Sequence, residues 1–379
     1  MRIAMIGSRG ITSDYGGIER VLDEVCPRLV ELGHSVDVYS RADIRLDRGG
    51  LRAVPVRSFG GKHLDNIVRS ALATVRSIGR YDLLHFHAIG PGMLALPAAA
   101  LGQASVATIH GLDWRRAKWG ALAKLGLRAA ERALVAGATT VTVVSRTLER
   151  HFREAYGLNP SFIPNGTAAQ APAPLGAFGR SLGLEEGGYV LFASRLVPEK
   201  GCHDLIEAFC ALPTAKKLVV AGGAGEPGYV ESLRRMADPD RVVFTGHQTG
   251  AELAGLFSNA RAFVLPSYVE GMSNALLEAL AYGRTVLVSD IEENAEVVGD
   301  DGSYFKVGDV ADLRSKLSGL LSRPDPATGT PAGPGRTWRP GWDEVASSYD
   351  ALYRRLAART PVARPAAVAH HPVSALKRT

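Results

Sequence analysis

The sequence predicts an α/β protein made of two doubly wound halves, each a parallel sheet covered by helices on both faces. Three observations predict this. Short apolar runs alternate with amphipathic stretches of helical period, the alternation breaks at an Ala/Pro-rich segment and then restarts, and 379 residues are enough for two domains with separate cores.

In the first half, "RIAMIG" (Arg2–Gly7) reads as a buried strand followed by a Gly-containing loop. "GGIERVLDEVCPRLVELG" (Gly16–Gly33) reads as a helix, with Ile18, Val21, Leu22, Val25, Leu29 and Leu32 on one side and Gly33 as its stop. "HSVDVYS", "YDLLHFHA", "ASVATIHG" and "TTVTVVS" read as further strands, the last leading into a helix that ends near Tyr156. "PSFIPNG" closes this half, expected to span 1–166. The segment "TAAQAPAPL", 167–175, has no period and reads as a linker. Strand and helix then alternate again from "YVLFASR" through "TVLVSD", within an expected second domain of 176–341. The stretch Ser322–Gly341 is rich in Pro and Gly and reads as a loop. Trp342–Arg359 has helical spacing, and the tail 360–379 reads as disordered. In open α/β sheets ligands bind beyond the carboxyl ends of the strands, so the site is expected in the cleft between the halves.

The bulk numbers narrow the function. Hydrophobic residues make up 46% and charged residues 22%, as in a folded globular protein. No apolar run approaches the roughly 18 residues of a membrane span, and the N-terminus lacks a signal-peptide layout, so a cytoplasmic protein is expected. Cys26, Cys202 and Cys210 show no metal or redox spacing and read as ordinary thiols. A formal charge of +6, spread thinly, fits an anionic ligand or membrane surface, and no nucleic-acid-binding motif accompanies it.

Five stretches could carry chemistry. Gly16–Gly17 precede a helix, where glycines allow close backbone approach and leave amides open to an anion. Their spacing is not the dinucleotide fingerprint. His85, His87 and His110 stand at strand ends, with His110 the strongest functional candidate and no carboxylate spacing for a metal. In "LFASRLVPEKGCHDL", Arg195 follows a strand and Lys200 precedes a helix, a pairing suited to a diphosphate. In "SYVEGMSNALLEAL" the helix is expected to start near Ser273 or Asn274. Glu270 then lies in the loop ahead of it and Glu278 in its first turns, with the amides of Gly271, Met272, Ser273 and Asn274 between them. Amides and cations favour phosphate, and carboxylates favour sugar hydroxyls, so a nucleoside-diphosphate sugar satisfies the whole set. Finally, "DWRRAKWGALAKLGLRAAERAL" mixes Trp114, Trp119 and leucines with Arg115, Arg116 and Lys118. It reads either as a core-facing helix with a basic outer side or as a contact with an anionic membrane on the acceptor side.

These motifs, in order, resemble the retaining glycosyltransferases of family 4. Glu270 and Glu278 fit the family's E-x7-E pattern, and "YGGIER", "HFHAIGPG", "TIHGLDWRRAKWG", "VVSRTL", "IPNGT" and "SRLVPEKG" accompany it over about residues 1–310. The match is nearest to bacterial enzymes of surface polysaccharide or glycolipid synthesis, some of them rhamnosyltransferases. The resemblance implies the GT-B fold, with two facing doubly wound domains. It implies that Gly16 and Gly17 approach donor phosphate and acceptor, that His110 bonds the reacting sugar, and that Arg195 and Lys200 bind the diphosphate. Glu270 would meet the donor sugar, Glu278 the ribose, and the loop from Gly246 the base, while the last helix crosses back to the first domain. The departures are Thr167-Ala168 after "PNG", where the family often has Val-Asp, and Ala224 where an acidic residue is common. The implied reaction needs no cofactor and no metal ion. Its partners are a nucleotide sugar and a glycan or lipid-linked acceptor. The competing readings are an epimerase of the same fold and a catalytically silent sugar-nucleotide-binding partner.

Overall fold

The computed structural model describes residues 1–11, 16–59, 61–116, 118–168, 170–223, 225, 227–323 and 340–359. The predicted tail 360–379 and most of the Pro/Gly-rich stretch lie outside these.

The first sheet contains β1 (Arg2–Ile6), β2 (Ser35–Arg41), β3 (Leu46–Arg48), β4 (Leu51–Val56), β5 (Leu83–His87), β6 (Ser105–Ile109), β7 (Thr140–Val143) and β8 (Ser161–Phe162), in the order β3-β4-β2-β1-β5-β6-β7-β8. All pairs are parallel except β3 with β4. Pairing with β3 ends at Ala53, so Pro55, which cannot donate to a ladder, lies beyond it. The helices of this half are α1 (Gly17–Glu31), α2 (Gly61–Ser77), α3 (Ile89–Gly92), α4 (Ala95–Ala100), α5 (Ala121–Gly137) and α6 (Arg146–Tyr156). The ends of α6 follow from local chemistry. The Ser145 hydroxyl accepts the Leu148 N–H at 3.3 Å, and Gly157 stops the helix in the left-handed region at φ 63°.

The second half runs α7 (Gly176–Ser181), β9 (Tyr189–Ala193), α8 (Cys202–Cys210), β10 (Lys217–Ala221), α9 (Pro227–Met236), β11 (Val242–Gly246), α10 (Gly250–Asn259), β12 (Ala262–Leu265), α11 (Asn274–Ala281), β13 (Val286–Ser289), α12 (Glu292–Val298), β14 (Ser303–Phe305) and α13 (Val310–Leu321). Its strands form one all-parallel sheet in the order β11-β10-β9-β12-β13-β14. They are buried on both faces, which is why β9, β12 and β13 are continuous apolar runs rather than alternating ones.

The chain crosses between halves twice, side by side: Thr167 N–H donates to the Pro340 carbonyl at 3.0 Å, and Thr167 bridges Gly341. Next comes α14 (Trp342–Arg359), which returns to the first half. Its Trp342, Val345, Tyr349, Leu352, Tyr353 and Leu356 are buried in the core that α1 shares with β1 and β2. At roughly 1.5–3 kcal/mol per fully buried large side chain, this face binds the helix firmly to the first domain.

Candidate active site

The carboxyl ends of the two sheets face each other, and the predicted residues of the second half gather there. Arg195 and Lys200 follow β9. A 3-10 turn, Pro198–Lys200, presents Lys200, and Gly201 ends it at φ 65°. A Cβ on Gly201 would lie 2.0 Å from the Pro266 carbonyl oxygen, so this turn is pressed onto the loop after β12. That loop carries Ser267 and Glu270. Lys200 Nζ reaches Glu270 Oε1 at 2.5 Å, and Ser267 Oγ donates to the same oxygen at 2.7 Å. Both charged side chains are largely buried. Burial pulls the Lys200 pKa down, the attraction of Glu270 opposes that, and Arg195 and Arg116 add repulsion. Arg195 therefore lies within electrostatic reach of Lys200. Lys118 is repelled by Arg116 and Arg195 and attracted by Glu199, which brings the predicted acceptor-side segment into the same field.

Helix α11 begins at Asn274, with Ser273 as its cap accepting the Leu276 N–H at 3.3 Å. Glu270 therefore lies ahead of the helix and Glu278 inside it. Glu278 is 3.6 Å from Arg20 of α1, across the interface. Burial raises the Glu278 pKa, Arg20 opposes this and Glu24 adds to it. Arg20 and Glu278 line a small cavity with Gly166, Gln170, Asn274 and Trp342.

Asn274 and Gly271, both expected to bind donor, also join the halves. Asn165 Nδ2 donates to Asn274 Oδ1 at 2.8 Å and to the Met272 carbonyl at 3.2 Å, while Asn274 Nδ2 donates to the Gly17 carbonyl at 3.1 Å. Gly271 is a contact glycine: a Cβ there would lie 1.8 Å from the His110 carbonyl oxygen. Gly16 and Gly17 differ. A Cβ on Gly17 would make an ordinary 3.5 Å contact, and one on Gly16 would meet just the flexible end of Glu19. Packing against the described residues demands glycine at neither. Glu19 shapes this loop by accepting the Arg9 N–H at 2.9 Å. Gly246 ends β11 at φ 72° in open space, so backbone conformation alone favours glycine there.

On the first-half side, β5 and β6 deliver the histidines. His110 follows β6 and is partly exposed, whereas His85 and His87 are buried. His87 Nδ1 is 3.1 Å from His110 Nε2. Burial depresses all three pKa values, to about 3 for His85 and about 4 for His110, so the rings are neutral near pH 7.

In the segment after His110, Trp114 follows the core-facing of the two expected readings. Trp114 does not face outward. Its Nε1–H donates to Glu131 Oε2 at 2.8 Å, and Glu131 also binds His151 and Tyr156, each at 2.8 Å. A buried carboxylate with three donors holds the tryptophan against α5. Arg115 reaches Glu293 of the second half at 3.5 Å, Arg116 pairs with Asp113 at 3.3 Å, and Lys118 lies over the Trp119 ring at 4.7 Å. The exposed apolar side chains are further on, at Leu122 and Leu125 of α5.

Sequence reasoning assigned no role to Arg20, Asn165 or Glu296. The first two sit inside "YGGIER" and "IPNGT", so proximity to recognised motifs was their signal. Glu296 of α12 accepts the Arg146 N–H at 2.7 and 2.8 Å and the Thr147 N–H at 3.3 Å, capping α6 from the other domain. Nothing local to Glu296 announces this.

Two facing doubly wound domains, with a lysine–carboxylate pair and a helix start on one wall and a strand-end histidine on the other, define a glycosyltransferase of the GT-B fold. Comparison with known proteins gives the family. Residues 15–170 match the model "Glycosyltransferase Family 4" and residues 187–323 match "Glycosyl transferases group 1". The chain is 28% identical over 370 residues to a glycogen synthase of Mycobacterium tuberculosis, covering 86% of this chain and 87% of that one. It is 29% identical over 388 residues to a GDP-mannose-dependent alpha-(1-6)-phosphatidylinositol monomannoside mannosyltransferase of the same organism, covering 89% and 95%. In fold it matches the sucrose-phosphate synthase of Thermosynechococcus elongatus with a TM-score of 0.80 at 22% identity, covering 94% and 99%. The chain belongs to family 4 of the glycosyltransferases.

Proposed function

We propose that the chain transfers a hexosyl group from a nucleoside-diphosphate sugar to a glycan or lipid-linked acceptor, with retention of anomeric configuration and without a metal ion, in surface polysaccharide or glycolipid synthesis. The observation that carries this reading is the buried Lys200–Glu270 pair, set beside the start of α11 and against the segment that bears His110. Departure of the nucleoside diphosphate builds negative charge on its phosphates. Arg195, Lys200 and the helix-start amides meet that charge more strongly in the transition state than in the ground state, and this difference accelerates a reaction. These cations supply the positive charge a metal ion would otherwise bring. Glu270 faces the donor sugar and Glu278 the ribose, with Arg20 giving way to the ligand. Retention is carried by the family resemblance. An epimerase of the same fold is the reading it displaces.

The donor is decided by a thermal-shift panel of UDP-, GDP-, ADP- and dTDP-sugars, including GDP-mannose, the donor of the mannosyltransferase relative, and dTDP-rhamnose, which the rhamnosyltransferase resemblance suggests. A donor at a hundredfold excess over its Kd stabilises by about 2.7 kcal/mol. No shift with any member of the panel would overturn the reading. Transfer that persists in EDTA and an unchanged anomeric configuration in the product test the two finer points.

A peripheral contact with an anionic membrane on the cytoplasmic side is supported by one observation. Leu122 is 83% and Leu125 61% exposed on α5, next to Lys124 and Arg128. No helix among the described residues is long and apolar enough to cross a membrane. Flotation with anionic vesicles at low salt tests the contact, and absence of binding ends it.

A further inference from the structure

The proposed chemistry uses one histidine, but the structure holds three in a row. His85 is fully engaged: its Nδ1 lies 2.7 Å from the Tyr353 hydroxyl of α14, and its Nε2 lies 2.7 Å from Thr108 Oγ1. The His87 ring lies tilted against it with centres 4.3 Å apart and stacks on His110 with centres 5.4 Å apart. Parallel pairing sets this row, because β5 and β6 align His87 with Thr108 and so bring its ring beside the strand's last turn into the cleft. His87 Nδ1 meets His110 Nε2 at 3.1 Å, while His87 Nε2 is buried with no partner among the described residues.

A single proton lies between the two facing nitrogens, and a neutral imidazole carries one N–H. If His110 donated, His87 would hold its own proton on Nε2, as a buried N–H with no acceptor. If His87 donates through Nδ1, its Nε2 is a bare lone pair. Buried orphan donors are rarer than under-satisfied acceptors, so the second arrangement is favoured. His110 then carries its proton on Nδ1, the nitrogen not turned to His87. The backbone is strained to hold this placement. Ala88, next to His87, has φ 74° and ψ 163°, a conformation L-residues rarely adopt, and its N–H is tied to the Thr108 carbonyl at 3.0 Å.

We propose that His87 is a positioning residue: its Nδ1–H donates to His110 Nε2 and fixes His110 as the Nδ1-protonated tautomer, which meets the donor sugar as a hydrogen-bond donor to a hydroxyl oxygen rather than as a base. The proposal rests on the donor-sugar reading of the cleft for its consequence, though not for the tautomer itself.

Long-range proton–nitrogen spectra of the full chain labelled with 15N-histidine read the tautomer directly, with H110Q identifying the His110 signals. The wild-type protein, without substrate, is expected to show a protonated Nδ1 and a bare Nε2 on His110. H87F should lose that preference. H87N, whose amide can occupy the place of Nδ1–H, should keep it. Where transfer is measurable, kcat of H87F should fall by about tenfold, as expected when one oriented hydrogen bond to the reacting sugar is lost, with the donor KM little changed and H87N restoring most of the loss. A wild-type His110 protonated on Nε2 overturns the proposal, as does an unaltered His110 in folded H87F. The wild-type spectrum decides even if H87F does not fold. It needs no substrate, so a failed nucleotide-sugar panel would sink the donor reading while the tautomer is judged separately.

Discussion

The two walls of the cleft solve binding in different ways. The second-domain wall is charged and paired: Lys200 and Glu270 are locked together at 2.5 Å, with Ser267 on the same oxygen and Arg195 within electrostatic reach. Around His110, the first-domain wall is polar and uncharged, a stack of neutral rings whose donors and acceptors are set by their neighbours. The contrast matches the two ends of a sugar nucleotide. A leaving diphosphate needs fixed positive charge in a site of low dielectric, where such charge acts most strongly. The sugar's hydroxyls need directional hydrogen bonds, which neutral imidazoles supply without a long-range field.

The sharpest way to break this comparison is to remove charge from the second-domain wall. K200A should lower kcat by about 10³-fold, at the upper end of what losing one preorganised group costs. It also leaves Glu270 as a buried carboxylate without its cation, so the donor KM should rise. Steady-state rates with the donor found by thermal shift check this. A kcat within about threefold of wild type would mean that the charged wall is structural and the comparison false.

Acid should strike the other wall. Burial lowers the pKa of His110 to about 4 and of His85 to about 3, and moves His87 in the same direction. An unfolded histidine titrates near 6.5. Between these values the unfolded state binds protons that the folded state refuses, so stability falls as pH drops below about 6.5 and goes on falling toward 4. Each such proton steepens the fall by about 1.4 kcal/mol per pH unit. Denaturant unfolding from pH 7 to 4.5 measures the slope. H87F should reduce it by about one proton, and an unchanged slope in that variant would show that the row does not titrate as described.

Much of this was legible in the sequence, for reasons that particular residues make plain. The parallel strands of both sheets could be read because burial on two faces makes them continuous apolar runs, as in "YVLFA" and "AFVL". The start of α11 could be read because Ser273 is a cap residue ahead of an apolar stretch. The edge strand β3 and its neighbour β4 could not, since "LDR" is too short and polar to carry a period and Pro55 argues against a ladder. The helix α2 was also not named, because its buried face is largely polar, with Arg69, Ser70, Thr74 and Ser77 beside Ala73, and shows no apolar stripe. At the site, positions were legible and partners were not. Glu270 and Lys200 were each read as facing ligand, and nothing in the sequence announced that they also pair with each other, 70 residues apart. For Trp114 the sequence left a core-facing and a membrane-facing reading open, and Glu131, seventeen residues on, turns it inward. Such pairings depend on sheet register and interdomain contact, which no local pattern encodes.

The smallest expected effect probes whether the neutral wall is tuned from behind. The Tyr353 hydroxyl lies 2.7 Å from His85 Nδ1 in a fully buried setting, and Tyr353 stands on α14, whose chain has crossed back from the second domain. Y353F keeps the ring and its packing but leaves His85 Nδ1 without a partner, a loss of about 1–2 kcal/mol of stability. Because His85 keeps its bond to Thr108 and touches His87 through ring contact alone, the tautomer of His110 and kcat should stay within about threefold of wild type. Urea unfolding and steady-state rates separate the two readouts. If kcat collapses while stability moves by the expected amount, proton placement is set through the whole row, and the hydrogen bond between His85 and the returning helix belongs to the catalytic wall rather than to the scaffold behind it.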